Sequence, residues 1–173
     1  MTTSSPTLPP ASSRPAHSTA RTLLALDLGQ QTGWALRQAT GLITSGSHGF
    51  KPGHFEGGGM PLLRFAAWLD ELHGRAGPLG LVFFEEVRAH KGTAAAHTYG
   101  AFSGQLSAWC ERHGVTYQGV PVATIKKHAT GKGNAGKDLV IAAMRARGFA
   151  PADDNEADAL AILHWAMAQE VLA

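Results

Sequence analysis

Cysteine is almost absent from the 173-residue chain, where Cys110 stands alone. One thiol excludes an internal disulfide framework and a cysteine-based zinc site, and it suits a reducing compartment. Charge is also sparse, at 16% of residues against 44% hydrophobic. That balance excludes a highly charged disordered chain and leaves ordinary material for a core. No apolar run reaches the roughly 20 residues that a membrane-spanning helix requires, and the mean hydropathy is -0.08. The 21 glycines and 9 prolines follow no period, which excludes collagen-like and repeat architectures. The length suits one domain.

What is present divides into a tail and a patterned body. Residues 1–20 are mostly Ser, Thr, Pro and Ala without aliphatic periodicity, and they carry no signal-peptide core. A disordered tail is expected there, followed by one domain over 21–173. Apolar runs at Thr22–Leu28, Gly33–Arg37 and Leu42–Gly49, separated by turn residues, predict three strands in a meander. His48–Gly59 is glycine-rich and predicts a loop. Helical spacing predicts helices over Pro61–Arg75, Thr93–His113, Ala135–Arg147 and Asp154–Leu172, with further strands at Gly80–Val87 and Val115–Gln118. Helices alternating with the later strands imply parallel crossovers, while the first three strands can pair as hairpins. The expectation is an α/β domain with a mixed five-stranded sheet, three antiparallel strands first and parallel additions after, flanked by helices.

The net charge is only +2, but its distribution is uneven. Residues 121–150 hold Lys126, Lys127, Lys132, Lys137, Arg145 and Arg147 against Asp138, a net +5. Residues 151–173 hold Asp153, Asp154, Glu156, Asp158 and Glu170, a net -5. A cationic approach beside an anionic cradle suits an enzyme that cuts phosphate esters with metal ions. Two solvated faces that offset each other are the plain alternative.

Carboxylates also fall where apolar patterning would not put them. Asp27 interrupts LLALDLG, and Glu85 and Glu86 interrupt LVFFEEV, each inside an expected strand. Asp154 and Asp158 lie one helical turn apart, so they share a face. A buried carboxylate is costly unless it is paired or bound to metal. Strand alternation sends Glu85 and Glu86 to opposite faces, so only one of them can join Asp27. Taken singly, each segment has a simpler reading: a strand-ending turn, ion pairs to Arg88 and Lys91, or acids serving a helix dipole. Converging together, these groups would hold divalent cations, and Mg²⁺ suits carboxylate oxygens, water and phosphate. Two ions roughly 3.5–4 Å apart support phosphodiester cleavage.

These residues resemble the RuvC family of Holliday junction resolvases, of RNase H-like fold. Leu24–Gly29 with Gly33 is similar to the family's first strand and turn. Val82–Val87 resembles the strand of its catalytic Glu, with Glu85 in that position. Ile125–Val140 resembles its Lys…Gly-x-Gly-x-Ala-x-Lys stretch, and Asp154–Ile162 its closing acidic helix, with Asp158 as the final Asp. The likeness runs in order through residues 22–170. It implies metal ligation by Asp27, Glu85, Asp158 and a fourth acid three or four residues before the last. Those positions are Asn155 and Asp154; Asp154 is preferred, with Asp153 and Glu156 behind it. It further implies two Mg²⁺ ions per site, with Mn²⁺ as a substitute, and a homodimer that nicks a four-way DNA junction twice by symmetry. Lys137 would hold the scissile phosphate and Lys126 the nearby backbone, while Lys127, Lys132, Arg88 and Lys91 are candidate DNA contacts. A cytoplasmic, bacterial or phage-encoded protein is expected. The rival readings are a nuclease of the same fold acting on flaps, other branched DNA or RNA–DNA hybrids, and a non-catalytic nucleic-acid-binding module.

Overall fold

A computed structural model of the chain describes residues 21–87 and 92–170. The expected tail at 1–20, and Arg88 and Lys91, lie outside the described residues. The elements run β1 (Thr22–Asp27), β2 (Gln31–Arg37), β3 (Ile43–Gly49), α1 (Met60–Arg75), β4 (Leu79–Glu86), α2 (Thr93–His113), β5 (Thr116–Pro121), α3 (Val122–Thr130), α4 (Lys137–Ala146) and α5 (Asp154–Glu170). The strands form a single five-stranded sheet in the order β3-β2-β1-β4-β5. β1, β2 and β3 pair antiparallel, and β4 and β5 add parallel to β1 and to each other. This is the mixed sheet that the apolar runs predict.

Alternation along the strands divides the core into two. Leu23, Ala25, Ala35, Phe83 and Val120 face α3, α4 and α5, where Ile125, Val140, Met144, Leu160 and Ile162 are buried. Leu24, Leu26, Leu36 and Val82 face α1 and α2, among Phe65, Trp68, Phe102 and Trp109. Cys110 is buried in this second layer, and burial pushes its thiol up to about 12, so it is a small hydrophobe and not a nucleophile. Trp109 is anchored by its indole N–H, which donates to Asp70 Oδ1 at 2.8 Å.

One element departs from the sequence pattern. Residues 122–130, VATIKKHAT, form α3 although the β-branched Val, Thr and Ile weaken helix propensity. Its buried anchors are Ile125 and Ala129, an i,i+4 pair that packs into the α5 layer. Tertiary burial of that narrow stripe overrides local preference.

Candidate active site

Three elements bring acids to one edge of one sheet face. Asp27 closes β1, and its antiparallel partner is Gly33 of β2. β4 runs parallel beside β1 with Leu26 opposite Phe84, so Glu85 comes up next to Asp27. Glu85 has the same parity as Phe83, on the α5 face, whereas Glu86 follows Phe84 to the α2 side.

Gly33 explains how α5 reaches these two strands. A Cβ on Gly33 would lie 1.9 Å from the Asn155 carbonyl oxygen. Only glycine lets the first turn of α5 settle on β2 directly across from Asp27. Hydrogen bonds then fix the helix start. Asp153 Oδ1 accepts from Glu156 N at 2.9 Å and from Ser47 Oγ at 2.6 Å. Glu156 is buried, and it accepts from Ser45 Oγ at 2.6 Å and Ala152 N at 2.8 Å. Asp153 and Glu156 therefore form a capping arrangement latched to two serines of β3. Neither is available as the fourth acid, and Asn155 lends its backbone to Gly33. Asp154 and Asp158 are the acids of this turn left to face the strand carboxylates.

The electrostatics identify a coupled cluster. Burial drives the Asp27 carboxyl up to about 8, reinforced by repulsion from Glu85, Asp158 and Asp154 and opposed by Lys137. Burial likewise raises Glu85 to about 7, with Asp158 adding to the rise and Lys126 opposing it. Asp158 is raised as well, first by burial, against the pull of Lys126 and Lys137. Asp154 behaves oppositely: its ion pair with Lys137 holds its carboxyl below the usual range and raises the lysine. Lys137 begins α4 and Lys126 lies on α3, so both of these cations sit within electrostatic reach of the acids. Lys127 and Lys132 are exposed on and just after α3.

The four acids do not stand as a closed metal cage. Among the described residues, no three His, Cys, Asp or Glu side chains are gathered as a metal-holding group. Burial and mutual repulsion favour the protonated forms of Asp27 and Glu85, and the Lys137 ammonium pairs with Asp154. The donor set still suits a hard divalent cation. It consists of carboxylate oxygens alone, crowded enough to repel one another and desolvated enough to gain from a cation. Sequence reasoning did not find the serine latch or the role of Gly33. Signals were present in the D-x-x-E spacing of Asp153 and Glu156 and in a glycine within an apolar strand.

A mixed sheet ordered β3-β2-β1-β4-β5, helices on both faces and acids on the two central strands and the last helix define an RNase H-like fold. The chain is similar to T. thermophilus RuvC in complex with a Holliday junction substrate, with TM-score 0.69 and 22% identity over 82% of this chain and 90% of that one. A second Thermus thermophilus RuvC structure gives TM-score 0.65 and 25% identity at the same coverage. The yeast mitochondrial Holliday junction resolvase gives TM-score 0.60 and 12% identity over 91% of this chain and 81% of that one. No protein-family model and no curated protein sequence matches the chain. The structural neighbours agree with the family resemblance read from the residues.

Proposed function

We propose that the chain is a RuvC-like resolvase: a Mg²⁺-dependent endodeoxyribonuclease that acts as a homodimer and makes paired nicks across a four-way DNA junction. The observation that carries this reading is the convergence of half-buried Asp27 and Glu85, on one sheet face, with Asp158 of α5, where desolvation and mutual repulsion raise all three carboxyls. A purely structural role gives no reason to gather three acids that destabilise one another. Together with Asp154 they are the residues to hold two Mg²⁺ ions, with Mn²⁺ able to substitute. Bound ions supply water activation and neutralise charge at the leaving oxygen.

The remaining steps belong to the protein's own groups. Lys137 opens α4 after a glycine-rich loop, where its ammonium and the helix N–H groups can share one phosphate oxygen set. Engaging phosphate there withdraws the ammonium from Asp154 and frees that carboxylate. Lys126 screens Glu85 and Asp158 and contacts the neighbouring backbone, while exposed Lys127 and Lys132 extend the cationic track. Arg88 and Lys91 continue it by resemblance alone. No helix of the described residues is long and apolar enough to cross a membrane, and we place the protein in the cytoplasm of a bacterium or among phage-encoded proteins.

The test compares a synthetic four-way junction, a flap and an RNA–DNA hybrid, each with Mg²⁺ or EDTA. Symmetric paired nicks in the junction with Mg²⁺, and intact DNA with EDTA, are expected. Cleavage that persists in EDTA contradicts the metal chemistry; preference for the hybrid or the flap contradicts the junction assignment.

A further inference from the structure

The connection between β3 and α1 displays an aromatic ring in an unusual way. Phe55 is 96% exposed, the most exposed large hydrophobic side chain among the described residues. A single exposed apolar residue is ordinary, but the turn that holds this one is closed twice. Glu56 N donates to Gly53 O at 3.1 Å, and Gly53 N donates back to Glu56 Oε2 at 2.7 Å. Glu56 is also ion-paired with Arg64 of α1, whose guanidinium donates to Lys51 O at 3.4 Å. The turn is thus fastened to the helix, and it displays the ring to solvent without packing it. His54 stands edge-on to it, with ring centroids 4.5 Å apart.

The root of this loop is tied to the turn that follows β1. Phe50 N donates to Gln30 O at 2.7 Å, in the turn that follows Asp27. β3 ends at Gly49 opposite Gln31, so the loop leaves the sheet at the end where Asp27 lies. Around the turn itself, Lys51 and Arg64 stand against Glu56, which Arg64 pairs, a net charge of +1. An exposed ring on a fixed, glycine-rich turn beside Lys51 matches an unstacked nucleobase, which gives its π-face to the ring and its phosphate to the lysine.

We propose that Phe55 is a base-stacking residue for DNA with unpaired or unstacked bases near the cleavage point. This rests on the nuclease reading and assigns that site a further contact. The fixed turn lowers the entropy cost of stacking, since the loop does not have to be ordered on binding.

The experiment uses the full chain with two DNAs that carry 2-aminopurine at the unpaired or exchange position: a four-way junction and a gapped duplex. Wild type should quench the fluorophore on both. Phe55→Ala should lose the quenching and weaken binding about 10-fold, with an unchanged melting temperature and an unchanged slope of affinity against salt, because no phosphate contact is removed. Phe55→Trp should restore both readouts. Equal affinity and equal quenching for wild type and Phe55→Ala overturn the proposal. So does a Phe55→Ala protein that binds DNA normally but loses self-association in sedimentation, which would make this face a contact between two copies. Nicking of the junction by wild type is scored separately. Its failure with quenching on the gapped duplex intact removes the resolvase reading and leaves the stacking contact standing.

Discussion

Glu85 and Glu86 are adjacent residues of one type on one strand, and the sheet gives them different surroundings. Glu85 turns toward α5, where Asp27 and Asp158 already crowd and burial raises its carboxyl. Glu86 turns toward α2 and lines a shallow cleft with Phe84, Tyr99 and Gly119. The two faces differ in the same sense throughout. The α1–α2 side is an aromatic layer whose rings pack edge to face, such as Phe65 on Phe102 with centroids 5.2 Å apart. The α5 side is built mostly from alanine and aliphatic residues, with Phe83, Phe149 and Trp165 among them, and small side chains let the helix lie close to the sheet. Close approach is what desolvates the acids at its edge. One face stores stability, and the other gives some up to hold like charges together.

The sharpest way to break this contrast is to neutralise one glutamate at a time. Glu85→Gln or Asp27→Asn should lower Mg²⁺-dependent nicking on the order of a thousand-fold while leaving junction binding in gel shift largely intact. Glu86→Gln should leave the nicking rate within about 3-fold. Equal losses from the two glutamines would mean that the faces do not divide the labour as described.

A steric test comes next in size. Gly33→Ala puts a methyl into the Asn155 carbonyl and must push α5 off β2. A cost of about 3 kcal/mol is expected, or roughly 6–12 °C in melting temperature, along with reduced nicking. Gly58→Ala meets nothing within 4 Å and should leave melting unchanged.

The pH dependence of the metal-free protein sharpens the contrast further. Asp27 rises from 3.8 to about 8 and Glu85 from 4.5 to about 7 on folding. The folded chain therefore holds protons that the unfolded chain has released. Their contribution to stability is full below about pH 4 and is lost as pH rises through 7 to 8. Asp27→Asn should flatten that decline and melt at least about 3 °C above wild type at pH 8. A steeper decline in the variant would contradict the burial assigned to Asp27.

The smallest effect concerns the latch. Ser47→Ala removes one of two bonds to the Asp153 cap and should cost about 1 kcal/mol in urea unfolding. Ser45→Ala exposes the buried Glu156 to the same loss.

Much of this arrangement is legible in the sequence, for a physical reason. Asp27 and Glu85 interrupt apolar runs, and Asp158 opens an apolar helix, so each acid announces a burial that demands compensation. Five strands and four of the helices follow from local period and turn residues. α3 does not, because two buried positions in nine leave too narrow a stripe against β-branched neighbours. The choice among Asp153, Asp154 and Glu156 does not either. It depends on which acid finds a serine hydroxyl on β3, more than a hundred positions earlier in the chain. Gly33 reads as a strand residue, and its contact with Asn155 exists only once the helix has docked.

The central claim is that Asp27 and Glu85 give up protons to bind divalent ions beside Asp158 and Asp154. Calorimetry of Mn²⁺ binding at pH 6.5, repeated in two buffers of different ionisation enthalpy, measures that exchange directly. Asp27 near 8 and Glu85 near 7 predict release of between about one and two protons by wild type, with both binding and release greatly reduced in Asp27→Asn. Absence of Mn²⁺ binding, or binding with no proton released, would contradict the account.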